Sequence, residues 1–371
     1  MLSLSQKINL FRGLLSGDTA RTGPFHVAID LTHRCNLQCI VCQYHSPFKK
    51  SENHNINDFP FKLFKKLCRE LKKMGTRELF WAGSGEPFLH PEFSGMISFA
   101  KSEGFKITVF TNGTLFDDNT VQALIDAKLD KVRVSLWAST EEQFQQINPG
   151  SDSGMFRKIT EGLGLLSRLK AERKSRSPVV CQAIIINRVN LRTIDAVVNL
   201  ALGTGCEELF FSIPWNPPGV STSLAFSGEE EQSVKSTLLR MKKGLNALSI
   251  KHNINDVILR IESGVRAWEK TSCYAAWYNI IVRSDGTVIP CCRCHHIELG
   301  NISESTFREI WNGPAIRAFR KQALSHKGLV QINGQGYCDN CSYFHKNLRV
   351  HKYFKWFLPF TRHRVKDPSL S

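Results

Sequence analysis

The chain contains 371 residues and carries a formal net charge of +16, from 49 lysines and arginines against 33 aspartates and glutamates. Hydrophobic residues make up 42% of it and charged residues 22%, a globular composition that excludes a disordered or collagenous chain. No apolar run reaches the roughly 18 residues of a membrane-spanning helix, and no pattern typical of a secretory signal is present, so we expect a cytoplasmic protein. The charge favours an anionic partner, such as an acidic substrate, RNA or an anionic membrane surface.

Short β-rich runs alternate with amphipathic helical patterns along the first two thirds of the chain. The β-rich runs predict strands at 26–32, 78–82, 106–111, 131–137, 179–186 and 207–213. The helical patterns between them lie at 58–74, 92–103, 117–127, 154–174 and 191–202. Strand–helix units in series predict an α/β fold with a parallel sheet, either doubly wound or rolled toward a barrel. In both arrangements ligands bind at the C-terminal ends of the strands.

Three cysteines, Cys35, Cys39 and Cys42, directly follow the first predicted strand. Because disulfides are rare in a reducing compartment, cysteines at this spacing indicate metal or cluster ligands. Three thiolates suit a cuboidal [4Fe–4S] cluster with one open iron, at which chemistry takes place. A structural zinc site is the alternative, but it needs four ligands and commonly uses paired Cys-x-x-Cys units. His33 is a candidate for such a fourth ligand.

Polar motifs follow the other predicted strands in the same way. They are Gly83-Ser84-Gly85-Glu86-Pro87, Thr111-Asn112-Gly113, Ser135 and Asn187. With the Cys-x3-Cys-x2-Cys loop, these segments resemble in type and order the radical S-adenosylmethionine (SAM) superfamily, whose catalytic domain is a partial (β/α)6 TIM-like barrel. One departure is Ser84, which replaces a glycine of the family motif, and another is Val41, where the family usually has an aromatic residue that packs on adenine.

The resemblance implies a role for each motif. Cys35, Cys39 and Cys42 would hold the catalytic cluster, and Glu86 with the surrounding backbone would hold the methionyl amine of SAM. The remaining implied SAM contacts are Gly83, Ser84, Gly85, Pro87, Thr111, Asn112, Ser135 and Asn187. Ser135 stands where the family places a ribose contact.

A second cysteine set lies towards the C-terminus and comprises Cys273, Cys291, Cys338 and Cys341. An Asp285-Gly286 turn between two β-rich runs predicts a hairpin that presents Cys291 beside Cys273. Four thiolates complete a [4Fe–4S] site, with a four-cysteine zinc site as the alternative. The order resembles the SPASM and shorter twitch domains of radical SAM enzymes, which implies one auxiliary cluster.

Five further cysteines divide into two groups. Cys292 and Cys294 stand close enough to Cys291 in the sequence to replace it as a ligand. Cys68, Cys181 and Cys206 fall within predicted helices or strands, and we expect them to be buried as small apolar residues.

The chain divides into five predicted segments. They are an N-terminal amphipathic segment at 1–23, the radical SAM partial barrel at 24–225, a linker helix region at 226–270, the small cysteine-rich SPASM/twitch domain at 271–345 and a basic aromatic tail at 346–371. Cationic and aromatic residues alternate in the tail, which suits the headgroups of an anionic membrane and predicts peripheral contact at the inner membrane face. A tail helix docked on the protein's own core is the alternative. Nucleic acid is disfavoured because no RNA-binding module is recognisable.

The implied activity is that of a radical SAM oxidoreductase with two [4Fe–4S] clusters. SAM would be cleaved to a 5′-deoxyadenosyl radical that abstracts a substrate hydrogen, and the auxiliary cluster would accept an electron. The resemblance also implies an external one-electron reductant such as flavodoxin or ferredoxin. A small-molecule, sugar or lipid-linked substrate is favoured, because the segment before the first strand is too short for the recognition domain that peptide-modifying members often carry. Trp215 and Asn216 are candidate substrate-facing residues.

Two alternatives remain open. The first is a radical SAM maturase of a ribosomally made peptide or protein. The second belongs to another class: a non-enzymatic electron-transfer protein with two clusters, which would have no need of the motif from Gly83 to Pro87.

Overall fold

The computed structural model describes residues 3–48, 57–214, 224, 226–334 and 336–354. Within these residues a single sheet of ten strands forms the centre of the molecule. The strands are β1 His26–Ile29, β2 Glu78–Trp81, β3 Lys106–Thr111, β4 Lys131–Ser135, β5 Val179–Ile185, β6 Glu208–Ser212, β7 Lys251–His252, β8 Asn279–Val282, β9 Thr287–Ile289 and β10 Gly300–Asn301. Their order across the sheet is β10-β9-β8-β1-β2-β3-β4-β5-β6-β7.

Helices connect the strands and cover the sheet. They are α1 Leu4–Ser16, α2 Phe61–Lys73, α3 Phe93–Ser102, α4 Asp118–Asp126, α5 Glu141–Ile147, α6 Met155–Glu172, α7 Ile194–Gly203, α8 Gly228–Ala247, α9 Ile254–Ser263, α10 Phe307–Trp311, α11 Pro314–Ala323, α12 His326–Asn333 and α13 Phe344–Phe354. None of the helices in the described ranges is long and apolar enough to cross a membrane.

Strands β1 to β6 lie side by side in chain order, and every neighbouring pair is parallel. A helix connects each of these strands to the next, which is the arrangement of a partial (β/α)6 barrel and confirms the predicted α/β fold. Alternate strand residues are buried: Val27 and Ile29 on β1 and Ile107 and Val109 on β3 are all 0% exposed. The C-terminal ends of the parallel strands therefore meet at one edge, where the predicted site residues follow.

The C-terminal part of the chain joins the barrel sheet directly. Strand β8 pairs in parallel with β1, with His26 opposite Asn279 and Ile29 opposite Val282. Strand β9 returns antiparallel to β8, as the predicted hairpin requires. The turn between them uses Gly286 at φ 86°, and the Thr287 amide donates to Asp285 Oδ1 at 2.9 Å. The hairpin that precedes Cys291 thus lies beside the strand that precedes Cys35.

The first part of the predicted tail is docked on the core. Helix α13 buries Phe344, Asn347 and His351. The Tyr274 amide donates to Asn347 Oδ1 at 3.0 Å, and the Tyr274 hydroxyl lies 2.9 Å from His351 Nδ1. This contact supports the core-docked alternative for residues 344–354. The rest of the tail, 355–371, lies outside the described residues, as do Trp215 and Asn216, and membrane contact there stays a prediction.

We predict that Asn347→Ala lowers the free energy of unfolding by about 1–3 kcal/mol, because the buried Tyr274 amide loses its acceptor. Urea unfolding of the purified protein measures the effect. Lys352→Ala on the exposed side of the same helix is the matched control and is expected to change the value little. Equal stability of the Asn347 and Lys352 variants would show that α13 does not hold the core.

Candidate functional site

A cavity of about 290 Å³ opens at the C-terminal ends of the barrel strands. Predicted site residues on its wall are Cys35, Cys39, Cys42, Gly83, Ser84, Gly85, Glu86, Thr111, Asn112 and Ser135, together with Val41. Residues on its wall that the sequence patterns did not single out are Leu37, His45, Ala82, Phe110, Trp137 and Ile185. The fold therefore brings motifs from three strand ends, and the first cysteine set that follows β1, to one concave surface.

Glu86 lies at the junction of these motifs and is only 2% exposed. One carboxylate oxygen accepts from the Thr111 hydroxyl at 2.8 Å and from the Phe88 amide at 3.3 Å. The other accepts from the Asn112 amide at 2.7 Å. Burial nevertheless raises the pKa of Glu86 to about 7, since these donors offset only part of the desolvation. A cationic ligand group beside this carboxylate would restore its charge.

The cysteine loop is tied to the same residues. The Glu86 amide donates to Arg34 O at 2.8 Å. Asn36 accepts from the Asn112 side-chain amide at 2.8 Å and donates to the Thr114 hydroxyl at 2.8 Å. A Cβ atom on Gly85 would stand 2.3 Å from Thr32 O, so only glycine permits this approach. The sequence patterns did not identify Asn36, because an isolated asparagine in a loop carries no distinguishing signal.

Ser84, the departure from the family motif, has a partner on β1's C-terminal side. Its hydroxyl donates to the Asp30 carboxylate, which is buried. A Cβ on Gly83 would lie 2.4 Å from Asp30 Cγ, so the first glycine of the motif makes room for this carboxyl group. Burial raises the pKa of Asp30 to about 6. Asp30 was not predicted as a site residue, since a single carboxylate at a strand end is indistinguishable from a surface residue by pattern.

The first cysteine set lies close together at the cavity wall. Burial raises the pKa of Cys35 to about 11, with a further contribution from the negative charge of Glu86, and it raises the pKa of Cys39 more strongly. Cys42 Sγ accepts from the amides of Tyr44 at 3.4 Å and His45 at 3.3 Å. Buried thiols of this kind are neutral until a cation replaces their protons, which is what an iron–sulfur cluster does.

Two predicted cofactor contacts lie away from the cavity wall. Asn187 is 0% exposed, and its side chain accepts from the Val189 amide at 2.8 Å and donates to Ile185 O at 3.0 Å. These hydrogen bonds stabilise its own turn. Pro87 is buried at the start of the short 3-10 helix Pro87–Leu89, where its fixed φ suits the first helical position.

The second cysteine set also converges. Burial raises the pKa of Cys273 well above its usual value, and the nearby thiolates of Cys341, Cys291 and Cys338 raise it further. Cys294 contacts the set as well, because its thiol is within hydrogen-bonding reach of Cys291 and Cys338. That hydrogen bond lowers the pKa of Cys291 to about 7.

Cys292 lies on the barrel side of this set. The charged groups that act on Tyr44, two residues after Cys42, include Asp30 and Cys292. Those that act on Cys273 and Cys341 include Cys291. Cys291 thus lies near Cys273 and Cys341, and Cys292 lies near Tyr44; Cys291 as the cluster ligand stays a prediction.

Among the described side chains, no group of three His, Cys, Asp or Glu residues is placed to enclose a single metal ion. Thiolates are the ligands of iron–sulfur clusters, so both cysteine sets suit the chemistry of a [4Fe–4S] cluster. The remaining cysteines, Cys68, Cys181 and Cys206, are buried, as predicted.

Comparison with known families agrees with this geometry. The radical SAM superfamily model matches residues 29–201, and the SPASM model, an iron–sulfur cluster-binding domain, matches residues 273–342. The chain belongs to the radical SAM superfamily and carries a C-terminal SPASM domain. The match implies [4Fe–4S] clusters and SAM as cofactors, and it supports an enzyme over the non-enzymatic electron-transfer protein.

Several relatives align along most of their length. A tungsten-containing aldehyde ferredoxin oxidoreductase cofactor-modifying protein of Pyrococcus furiosus is 23% identical over 315 residues, covering 80% of this chain and 83% of that protein. A PqqA peptide cyclase of Gluconobacter oxydans is 24% identical over 315 residues, covering 81% and 80%. Among solved structures, Streptococcus suis SuiB bound to precursor peptide SuiA superposes with a TM-score of 0.62 at 14% identity, covering 81% and 67%. The last likeness establishes the fold.

We predict that Gly85→Ala removes iron from the first cysteine set, because the new methyl group would displace the Thr32 and Arg34 carbonyls and with them the cysteine loop. Iron and sulfide analysis of anaerobically purified protein measures the loss, which is expected to be about half of the total. Gly164→Ala, a glycine with no atom within 4 Å of the added carbon, is the control. Full iron content in the Gly85 variant would contradict the proposed packing.

Proposed function

We propose that this radical SAM enzyme is a maturase that oxidatively modifies a ribosomally made peptide or protein. The observation that carries the proposal is the cavity that joins Cys35, Cys39 and Cys42 with the Glu86 motif. Two similar proteins support a peptide substrate. One is named as a PqqA peptide cyclase, and the other, SuiB, has a structure with a bound precursor peptide. This substrate class is better supported than the small-molecule substrate that the short N-terminal segment favoured.

A small-molecule substrate is the second candidate. The cofactor-modifying protein of Pyrococcus furiosus and a GTP 3′,8-cyclase of Clostridium botulinum are relatives named for other substrates. The net charge of +16 suits an anionic substrate of either class.

In this proposal the first site binds the catalytic cluster and SAM. Cys35, Cys39 and Cys42 would hold a [4Fe–4S] cluster with one iron not bound by the protein, and the cluster with SAM would supply the radical that abstracts a substrate hydrogen. The Glu86 carboxylate holds the SAM amine, and Thr111, Asn112 and Ser135 line the cavity towards the nucleoside. Val41, Trp137 and Ile185 make part of the wall apolar.

The second site accepts an electron in the same proposal. Cys273, Cys291, Cys338 and Cys341 ligate a closed auxiliary [4Fe–4S] cluster, since each iron then has a thiolate. Cys294 is a fifth thiol in contact with this set. The substrate radical that remains after hydrogen abstraction is oxidised by one electron and loses a proton, so the product lacks two hydrogen atoms. An external one-electron reductant would supply the electron that reduces the cluster of the first site.

The test of the function separates the two sites. The variant with Cys35, Cys39 and Cys42 replaced by alanine is expected to lose about half the iron and all SAM cleavage, because the open cluster is the only proposed SAM site. The Cys338→Ala, Cys341→Ala variant is expected to retain uncoupled SAM cleavage and to lose modification of the substrate. The measurements are 5′-deoxyadenosine release and the mass of peptides encoded beside the gene, which should decrease by two hydrogen atoms.

Two outcomes would contradict this division. Formation of 5′-deoxyadenosine by the triple variant would exclude the first site as the site of SAM cleavage. Full substrate modification by a Cys338, Cys341 variant that has lost its second cluster would exclude the electron-accepting role. Turnover of a small anionic molecule with no change in any peptide would favour the second substrate class.

A separate prediction concerns Glu86 and pH. Glu86→Gln is expected to weaken SAM binding by about 1.5–3 kcal/mol, which is about 10- to 100-fold in Kd, while the iron content stays constant. Because the pKa of Glu86 is raised to about 7, the SAM-free carboxyl is largely protonated at lower pH and must ionise to pair with an ammonium group. SAM affinity of the native protein should therefore rise between about pH 6 and about pH 8.

Equilibrium binding at several pH values measures both effects. The Glu86→Gln substitution removes the titrating group, so the Kd of this variant is expected to vary less over this range than that of the native chain. An unchanged Kd at pH 8 in Glu86→Gln would show that the carboxylate does not hold the SAM amine.

A further inference from the structure

Two buried arginines stand beside the second cysteine set. Arg260 comes from α9 and Arg293 lies between Cys292 and Cys294, and they are 7% and 8% exposed. Arg260 forms no ion pair with any carboxylate among the residues described, and its Nε has no hydrogen-bond acceptor there. The sequence of residues 215–223, which lie outside the described residues, contains no Asp or Glu.

Both guanidinium groups donate to the loop that carries two of the cysteines. Asn340 lies between Cys338 and Cys341 with φ at 51°, and its carbonyl accepts from Arg260 Nη2 at 2.7 Å and from Arg293 Nη2 at 3.3 Å. Arg293 Nη2 also donates to the Ser342 hydroxyl at 3.1 Å. The two cations therefore face the same side of the cysteine loop.

Thiolates of the second cysteine region are among the charges that act on both arginines. Burial lowers the pKa of Arg260 to about 10, the positive charge of Arg293 lowers it further, and the thiolates of Cys341 and Cys292 oppose the shift. Burial also lowers the pKa of Arg293, and the thiolates of Cys292, Cys341 and Cys291 oppose that shift. Two buried like charges in contact with one loop are unfavourable unless a negative group compensates them.

A thiolate-ligated [4Fe–4S] cluster supplies such a group. Four thiolates around a cluster core of charge 2+ leave a net charge of 2−, and reduction by one electron makes it 3−. Arg260, which has no carboxylate partner among the described residues, is therefore well placed to have such a cluster as its counter-charge. Net charge near a cluster is one of the factors that set its reduction potential.

We propose that Arg260 and Arg293 raise the reduction potential of the auxiliary cluster and so make it the electron acceptor of the enzyme. The inference rests on the proposed function, in which Cys273, Cys291, Cys338 and Cys341 hold that cluster. The arginines are positioning residues: they touch neither substrate nor SAM, and they act by stabilising the more negative, reduced state. Arg260 also reaches the Ser212 hydroxyl at the end of β6, at 3.5 Å, so it links the barrel to the cysteine loop.

An EPR-monitored redox titration of the full-length chain tests this inference. In a background with Cys35, Cys39 and Cys42 replaced by alanine, the auxiliary cluster is the only one present. Arg260→Gln and Arg293→Gln are each expected to move its midpoint to a more negative potential, and the double variant furthest. At the native midpoint the reduced-to-oxidised ratio of the double variant should fall about tenfold, which corresponds to about 59 mV for one electron.

Lysine variants separate charge from architecture. Arg260→Lys and Arg293→Lys keep the positive charge, so their midpoints should stay nearer the native value than those of the Gln variants, with the cluster retained. Arg240→Gln, an exposed arginine paired with Asp195, is the control and should leave the midpoint in place.

Four outcomes would overturn the inference. They are an unmoved midpoint in the double Gln variant with its iron intact, equal shifts in the Lys and Gln variants with iron intact, loss of iron from the Lys variants as well, and a midpoint that moves to a more positive potential in the Gln variants. Absence of iron from the second set in the triple-alanine background would instead refute the auxiliary cluster of the proposed function itself.

Discussion

The buried carboxylate of Glu86 is the contact on which the cavity depends. It accepts hydrogen bonds from Thr111 and Asn112 at the end of β3, and its own amide donates to Arg34 in the cysteine loop. Three separate segments are therefore held through one residue that follows β2. Such a carboxylate is unfavourable when isolated from water, and burial accordingly raises its pKa. The arrangement is thus stabilised further by any ligand that brings a positive charge to Glu86.

Strand β1 has a second structural role, because both halves of the chain pair with it. Strand β2 flanks it on one side and β8 on the other. The residues that follow β1 and the hairpin after β8 consequently emerge at the same edge of the sheet. This explains why Tyr44 and Asp30 from the first half lie near Arg283 and Cys292 from the second. The distance between the two cysteine sets is fixed by sheet hydrogen bonds and needs no flexible linker.

Much of this arrangement could be predicted from the sequence, because local patterns determine it. Strand β3 begins and ends at the predicted residues, since the period-2 alternation at 106–111 is uninterrupted. Strand β1 ends at Ile29, before the predicted boundary, because Asp30 and the following residues turn towards the site. Helix α5 was not predicted, since its seven residues are too short for a periodic pattern, although Thr140 caps its first turn.

The contacts that escaped prediction are non-local. Pairing of β8 with β1 joins segments that are far apart in the chain, and no hydrophobic pattern indicates which edge of a sheet a later strand will extend. The same applies to Arg260, whose helix looks like an ordinary amphipathic segment until its guanidinium is found against Asn340. Asn187 is a case in which the sequence suggested a contact that the structure does not show. Its position after a strand suits a ligand contact, but its side chain forms hydrogen bonds within its own turn.

The two cysteine sets differ in the sign of the charged side chains near them. The negative charge of Glu86 acts on Cys35 and Cys39, whereas the positive charges of Arg260 and Arg293 lie near Cys341. A negative neighbour disfavours addition of an electron to a nearby centre, and a positive neighbour favours it. Reductive cleavage of SAM requires a centre that gives up its electron readily, and oxidation of a substrate radical requires one that retains it. The charges that this fold places beside the two cysteine sets are those that such a division of labour needs.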